Sequence, residues 1–298
     1  TLTNGHTHAT GDLSRARSGG GAWSENLGVI SNCVFTGNLA DQRGGGAMFG
    51  LVYACTFTNN RAGLYGGGAS DLLAWDSRIA ANRAFRGGGA YQSTLTRCRV
   101  EGNESLDTGG GVHLGAVRES VLADNRALSR GGGADGASLS SSALYRNSAG
   151  EGGGGANDCR LSHCTVVYNS TLGEGGGTRS SSHTNSIVYF NSGSAGLNWA
   201  FAGTSRNSCS LPVLPGAGNV SVDPALASLT HLSGVSPLLG LGLTNASSGV
   251  DIDGEPWSQP PDIGCDELTA GTATGALLVA IRASATNLAV GARLEVRA

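Results

Sequence analysis

Apolar, small and amide side chains recur along this chain at a nearly constant interval. An apolar residue is followed three positions later by Asn, as in Phe35 and Asn38. The Asn residues are spaced by 22 positions, with a single interval of 21. A fixed period of this size is typical of a solenoid, in which every repeat is one turn of the same structure.

Four columns describe the repeat. The Asn column is Asn38, Asn60, Asn82, Asn103, Asn125, Asn147, Asn169 and Asn191. Five positions earlier lie the small residues Cys33, Cys55, Ser77, Cys98, Ser120, Ser142, Cys164 and Ser186. Three positions before Asn lie Phe35, Phe57, Ile79, Val100, Leu122, Leu144, Val166 and Val188. A further apolar column is assigned to Leu51, Leu73, Leu95, Val117, Leu139 and Leu161.

The Cys-x-Phe spacing has period two, so both side chains point to the same face of a strand. Short strands joined by turns cannot bury that face alone, but coils stacked about 4.8 Å apart can. The pattern therefore predicts an all-β parallel β-helix. Asn is expected at an inward turn, in the left-handed conformation and hydrogen-bonded to the next Asn in a ladder.

Eight Gly triplets accompany the Asn column, the second of them at Gly44-Gly45-Gly46. We expect each triplet to form a corner that needs positive φ and close packing. A phosphate-binding P-loop is excluded because all 19 basic residues are Arg and the motif requires Lys.

The charge, the hydropathy and the cysteine spacing exclude several classes of function. A formal net charge of −3 gives no basic surface for nucleic acid. No apolar run reaches the length of a membrane span. The seven cysteines include no Cys-x-x-Cys pair, which argues against a structural zinc site. Cys33 and Cys55 lie on neighbouring coils, so they could form a disulfide or could be small core residues.

Phe35-x-x-Asn38 and the following Gly-Gly-Ala resemble the repeats of polymorphic outer-membrane and autotransporter β-helices. Further on, 223–226 (Asp-Pro-Ala-Leu), 251–256 (Asp-Ile-Asp-Gly-Glu-Pro) and 262–267 (Asp-Ile-Gly-Cys-Asp-Glu) resemble the closing motifs of secreted bacterial, pectin-lyase-like proteins with a choice-of-anchor domain. Trp257 and Cys265 depart from those motifs, where Arg and Ala are usual. The resemblance implies a right-handed parallel β-helix solenoid of about eight to nine coils of ~22 residues, with an irregular C-terminal tail. It leaves the activity open between lyases, hydrolases, epimerases and adhesins.

The domain prediction has three parts: a β-helix over 1–210, a capping tail over 211–267, and a linker with the start of an immunoglobulin-like module over 268–298. Trp199 and Phe201 are expected to seal the end of the helix. Since Thr1 opens within what reads as the end of a strand, an upstream coil is also expected.

The candidate ligand site is the residue that follows each Gly-Gly-Gly-Ala, because there the repeat stops repeating. This column is Trp23, Met48, Ser70, Tyr91, His113, Asp135, Asn157 and Arg179. We expect it to face outward as a linear groove, with Trp23 and Tyr91 as sugar platforms and His113, Asp135, Asn157 and Arg179 as polar contacts. The alternative is an ordinary solvent-exposed strand face.

Two catalytic hypotheses use this groove. A polysaccharide lyase would use His113 or Tyr91 as base and Arg179 to neutralise a uronate, with Ca²⁺ on Asp135 and Asp158. A glycoside hydrolase would use Asp135 and Asp158 as its carboxylate pair. No complete catalytic motif of either class is present.

Asp251 and Asp253 are a second candidate Ca²⁺ site, with an Asx-type turn as the alternative. No other cofactor is expected.

The sequence therefore favours a secreted or cell-surface bacterial module that is structural, adhesive or glycan-binding without catalysis. The alternatives are a lyase or hydrolase acting on an extended, uronate-containing polysaccharide, and a self-assembling fibre subunit. The expected partners are a polysaccharide or surface glycan, neighbouring modules of the same polypeptide, or further copies of the chain.

Overall fold

The polypeptide winds into an all-β parallel solenoid of about eight turns. The computed structural model describes residues 1–269 except 9, 14, 25–27 and 247. The module start expected over 268–298 therefore lies outside the described residues, apart from 268 and 269. Within the described part, no helix has the length and apolar character to cross a membrane.

Each turn contains up to four short strand segments, named here faces A to D in chain order after the glycine triplet. Faces A to C form one 24-stranded sheet and face D a 7-stranded sheet. Face A comprises Ala22–Trp23, Ala47–Met48, Ala69–Ser70, Ala134–Asp135, Ala156–Asn157, Thr178–Arg179 and Trp199–Ala200. Face B comprises Val29–Ser31, Leu51–Tyr53, Leu73–Trp75, Ser182–Thr184 and Ser205–Arg206.

Two strands continue from face A into face B, and two from face B into face C. They are Ala90–Thr96 and Val112–Arg118, then Ser138–Tyr145 and Arg160–Val167. Face C alone comprises Leu2–Thr3, Val34–Thr36, Thr56–Thr58, Arg78–Ala80, Arg99–Glu101, Val121–Ala123, Ile187–Tyr189 and Cys209–Ser210. Face D comprises Leu39–Ala40, Arg61–Ala62, Arg83–Ala84, Glu104–Ser105, Arg126–Ala127, Ser148–Ala149 and Ser170–Thr171.

Strands pair in parallel with the equivalent strand of the next coil, and the register follows the period. Phe35 lies opposite Phe57, and their rings stack with centroids 4.7 Å apart. Ile79 lies opposite Val100, so this coil is one residue shorter than its neighbours. Side chains from one side of faces A, B and C fill a continuous interior.

The short coil makes part of the further apolar column wrong. Leu73 pairs with Thr94, whereas Leu95 pairs with Ala74. Leu51 and Leu73 therefore lie on the outer surface of face B, and the buried members of their coils are Val52 and Ala74. Counting 22 residues across a coil of 21 shifts a strand by one position, which exchanges its two faces.

The Asn ladder is confirmed and is almost completely buried. Asn60 Oδ1 accepts both the backbone N–H and the side-chain Nδ2–H of Asn38, each at 3.0 Å. Asn60 Nδ2 donates to the carbonyl of Phe35 at 2.9 Å. The expected left-handed conformation belongs instead to the preceding residue, such as Asn59 with φ of 56°. That residue makes the bend, which leaves the Asn side chain free to point inward.

The first two glycines of a triplet are required for different reasons. The first is left-handed, with φ of 65° at Gly131, as predicted. The second has no room for a side chain, since a Cβ on Gly132 would lie 2.3 Å from the Gly154 carbonyl oxygen. The triplet is therefore a corner built for close backbone packing between coils.

The small column is a second hydrogen-bonding device, placed after the left-handed residue that joins faces B and C. The Cys98 N–H donates to Ser120 Oγ at 2.9 Å, and the Cys164 N–H donates to Ser186 Oγ at 3.1 Å. All seven cysteines are free thiols, so the disulfide considered for Cys33 and Cys55 is absent. Burial raises the pKa of Cys98 to about 11, which leaves almost no reactive thiolate at neutral pH.

Beyond the last coil, the chain turns back along the outside of face C. Ile263 and Cys265 pack against Val167 and Ile187 in a second hydrophobic cluster. The tail is therefore a layer on the flank of the solenoid. Phe201 does not seal the end of the solenoid, because it is 61% exposed. Leu214, at the start of the tail, is buried instead and is 2% exposed.

Buried carboxylates hold this irregular tail together in place of strand pairing. Asp262 accepts the N–H groups of Gly240 and Leu268, at 2.6 and 2.9 Å. Glu267 accepts the N–H of Asp262 at 2.9 Å, and its own N–H donates to Asp251 at 3.1 Å.

Candidate functional site

The variable column two residues after each glycine triplet lies in a tight corner beside the triplets. It is called the corner column here: Trp23, Met48, Ser70, Tyr91, His113, Asp135, Asn157 and Arg179. It lies on face A outside the core, but the expected open groove is wrong. Met48 and Ser70 are 1% and 0% exposed, and Asp135 and Tyr91 are 9% exposed. The glycine turn closes over the column, since a Cβ on Gly131 would lie 2.8 Å from Asp135 Cβ.

The aromatic part of the corner column is packed against itself. The Tyr91 ring lies 4.5 Å from the Tyr65 ring and 5.7 Å from His113, between centroids. The Arg43 guanidinium lies over both tyrosines, 5.6 Å from the Tyr91 centroid. A sugar platform requires a free ring face. Tyr91 therefore does not meet that requirement in this structure, because its neighbours cover it.

The polar part of the corner column forms one chain of contacts. His113 Nδ1 lies 2.9 Å from Asp135 Oδ2 and 3.2 Å from the Thr108 hydroxyl. Asn157 Nδ2 donates to Asp135 Oδ1 at 2.7 Å, and Arg179 donates to Asn157 Oδ1 at 3.4 Å. The structure thus brings together all four polar residues predicted here. They satisfy one another, so this arrangement stabilises the corner without a ligand.

Asp158 does not join this chain. It is exposed at a left-handed corner with φ of 52°, while the Asp135 oxygens are engaged by His113 and Asn157. In the described structure, no contact joins Asp158 to Asp135. The hydrolase pair and the Ca²⁺ pair proposed for these two residues therefore gain no support from the geometry.

The two aspartates near the C-terminus have different roles. Asp251 is fully buried, and its Oδ1 accepts the N–H groups of Asp253 and Glu255 at 3.0 and 2.7 Å. The Asx-type turn is therefore present at Asp251. Asp253 instead turns toward His231, with 2.6 Å between Oδ2 and Nε2.

Sequence reasoning missed the outer surface of face B. Arg118 and Arg160 lie there beside outward hydroxyl residues from three coils, and no described acidic side chain pairs with either arginine. The surface is called the arginine–hydroxyl face: Ala116, Arg118, Ser138, Ser140, Arg160, Ser162, Ser182 and Thr184. It encloses a shallow open depression of about 380 Å³. These residues alternate with the buried Val117, Leu139 and Leu161, so the column register could have located them.

Two histidines are buried away from both surfaces. His183 is 1% exposed and hydrogen-bonds Thr178 and Ser205, each at 3.0 Å. His163 is 3% exposed, and its ring lies 4.3 Å from that of Trp257 in the tail. Burial lowers the pKa of both imidazoles to about 4, because it disfavours the charged form. Both are therefore neutral, structural side chains at pH 7.

No protein-family model, curated protein or solved structure matches this chain. The parallel β-solenoid is established by the structure itself, and the resemblance to pectin-lyase-like proteins rests on the sequence motifs.

Proposed function

We propose that this chain is a non-catalytic, glycan-binding module of a secreted or cell-surface bacterial protein of the pectin-lyase-like type. The observation that supports it is the arginine–hydroxyl face. Arg118 and Arg160 carry positive charges without a described acidic partner, whereas described arginines such as Arg86, Arg97 and Arg146 pair with an Asp or Glu of a neighbouring coil. Two guanidinium groups without acidic partners, placed beside hydroxyl groups, suit a ligand that carries both acid and hydroxyl groups.

The spacing of the two arginines favours an extended ligand. Arg118 pairs with Ser140 and Ser140 with Ser162, while Arg160 lies on the neighbouring outward column of the Ser162 strand. Two coil steps separate the arginines along the axis, roughly 10 Å at the usual spacing between strands. This length is comparable to a disaccharide unit, so the two guanidinium groups could hold acid groups on alternate sugars. The serine and threonine hydroxyls between them would bond the sugar hydroxyls.

A glycan array that compares acidic with neutral polysaccharides tests this proposal. We expect binding to acidic chains that weakens with salt, since exposed charge pairs are screened. Arg118→Gln and Arg160→Gln should each weaken binding by about tenfold, the effect of losing one charge-assisted hydrogen bond. Arg126→Gln is the matched control, because Arg126 is an exposed arginine on face D without a described acidic partner. Binding that is absent, or equally weakened by all three variants, would reject the proposal.

The contact between His113 and Asp135 favours one catalytic alternative, a polysaccharide lyase. An imidazole whose Nδ1–H donates to a carboxylate keeps a lone pair on Nε2, which could remove a proton. However, His113 is enclosed, with 12% of its side chain exposed, and Arg179 is held by Asn157.

Incubation with uronate polysaccharides, followed by ultraviolet absorbance of unsaturated products, separates the two functions. The non-catalytic proposal predicts no turnover. Turnover that His113→Ala abolishes would favour the lyase instead.

A further inference from the structure

Three side chains that commonly bind metals converge in the C-terminal tail. The donor atoms of His231, Asp253 and Asp266 all lie within 4.8 Å of one another. The three residues come from separate tail segments, so the fold of the tail brings them together. Imidazole nitrogen and carboxylate oxygen are both ligands of zinc in proteins, and three protein ligands with a water are typical of open zinc sites.

The imidazole is held in the orientation that a ligand needs. His231 Nδ1 lies 2.7 Å from Thr230 Oγ1 and 2.7 Å from Ser228 Oγ. Ser228 Oγ already accepts the N–H groups of Thr230 and His231, at 3.1 and 3.0 Å. The Thr230 hydroxyl can therefore accept the Nδ1–H, while Nε2 donates to Asp253 without a metal and would release that proton to bind one. Such a second hydrogen bond on the far ring nitrogen is usual for histidines that bind metals.

The carboxylates offer one buried and one accessible ligand. Asp266 is 4% exposed, and one of its oxygens accepts the N–H of Leu232 at 2.8 Å. Asp253 keeps 23% of its side chain exposed, which leaves a path for an ion. Asp251 is excluded as a ligand, because both of its oxygens accept backbone N–H groups.

The charge of the tail is an independent observation that calls for a cation. Residues 211–269 contain no Arg or Lys. They contain seven acidic residues: Asp223, Asp251, Asp253, Glu255, Asp262, Asp266 and Glu267. Four of these are no more than 4% exposed, and His231 provides the one described salt bridge of the segment. Buried carboxylates usually have a cationic partner or a metal.

We propose that His231, Asp253 and Asp266 bind a zinc ion that fastens three segments of the tail to one another on the flank of the solenoid. Zinc fits better than Ca²⁺, because imidazole nitrogen is a preferred ligand of Zn²⁺ whereas Ca²⁺ takes oxygen ligands. Water would complete the coordination on the exposed side of Asp253. The proposal does not depend on glycan binding, since the site lies in the tail and the arginine–hydroxyl face lies on face B.

Calorimetric titration of the chelator-treated chain with ZnCl₂ tests the site, together with thermal unfolding in the presence and absence of zinc. We expect one zinc per chain and a higher unfolding temperature with zinc, because binding to the native state alone stabilises it. Asp253→Asn should weaken binding at least about tenfold and remove the temperature shift.

Glu255→Gln is the matched control, since it removes one carboxylate from the same turn without touching the three ligands. His6 and His8 near the N-terminus are exposed and could also bind zinc, so a variant with His6→Gln and His8→Gln is a second control and should bind as the unchanged protein does. The proposal is overturned by absent zinc binding, by equal loss in Asp253→Asn and Glu255→Gln, or by Ca²⁺ binding more tightly than Zn²⁺.

Discussion

At the scale of single residues, the repeated Asn residues hydrogen-bond buried backbone groups, and the repeated Gly residues leave room for close backbone packing. Asn125 shows this most clearly, because its side chain serves three coils at once. Its Oδ1 accepts the N–H and Nδ2–H of Asn103, and its Nδ2 donates to the carbonyl of Val100 and to Asn147. Buried polar groups that lose such partners are costly, which explains why Asn occupies this position in every coil from Asn38 to Asn191.

Asn125→Ala should therefore destabilise the protein by about 2–4 kcal/mol, since it leaves several buried polar groups without a partner. Urea-induced unfolding measures the change. Arg126→Ala, one position later and exposed, should change the free energy of unfolding by less than about 0.5 kcal/mol. Equal effects of the two substitutions would mean that the ladder contributes little.

A glycine can be required by conformation or by space, and the second reason is the stronger one here. In Gly132→Ala, the new Cβ would meet the carbonyl oxygens of Gly154 and Ser148 at 2.3 and 2.4 Å, both of them backbone. We expect either no soluble protein or a loss above about 3 kcal/mol, because neighbouring coils would have to separate. Gly234→Ala meets nothing within 4 Å at a residue with ordinary φ, so its unfolding midpoint should be unchanged.

At the scale of elements, the sequence predicts most of the solenoid and less of its surface. The period of the Asn column is enough to predict parallel coils, their number and the hydrogen-bonded ladder. It cannot show that the corner column is enclosed, because enclosure depends on how closely Gly131 and its equivalents approach that column. The face B register was obscured by one missing residue, which exchanged Leu73 with Ala74.

The tail is the element that periodicity describes least, because its contacts join residues far apart in the chain. Ile263 is fully buried in the second hydrophobic cluster, whereas Val235 in the same tail is 86% exposed. Ile263→Ala should lower the free energy of unfolding by about 2–5 kcal/mol through lost burial and the cavity left behind. Val235→Ala should lower it by less than about 0.5 kcal/mol. Hydrogen exchange in 211–269 would show whether the tail detaches first, and unchanged protection in Ile263→Ala would contradict its role as an anchor.

At the scale of the whole molecule, stability is a sum over neighbouring coils, so a change in one coil is felt first by those beside it. In the last coils, polar side chains replace apolar ones at the inward position of face B. His183 occupies the interior position that Leu161 holds one coil earlier, and Ser205 follows it. This end of the solenoid should therefore respond to pH, unlike the aliphatic core before it.

The pKa values of His163 and His183 give the sign of that response. Both lie at about 4 in the folded chain, below the value of 6.5 expected when unfolded. Above pH 6.5 these histidines are neutral in both states, so they do not lower the free energy of unfolding. As pH falls from 6.5 towards 4, the unfolded chain gains protons that the native chain does not, so stability falls by up to about 3 kcal/mol per histidine. Asp262 acts in the opposite sense, since burial raises its pKa and favours folding at lower pH.

Because these contributions overlap, the informative measurement is a difference between proteins. His183→Gln keeps an amide that can bond Thr178 and Ser205 but cannot be protonated. Its free energy of unfolding, measured in urea at a series of pH values, should fall less between pH 6.5 and 4 than that of the unchanged protein. His8→Gln, in the exposed loop near the N-terminus, should leave the pH dependence as it was. Parallel curves for His183→Gln and the unchanged protein would show that this buried imidazole is protonated as readily in the folded state as in the unfolded one.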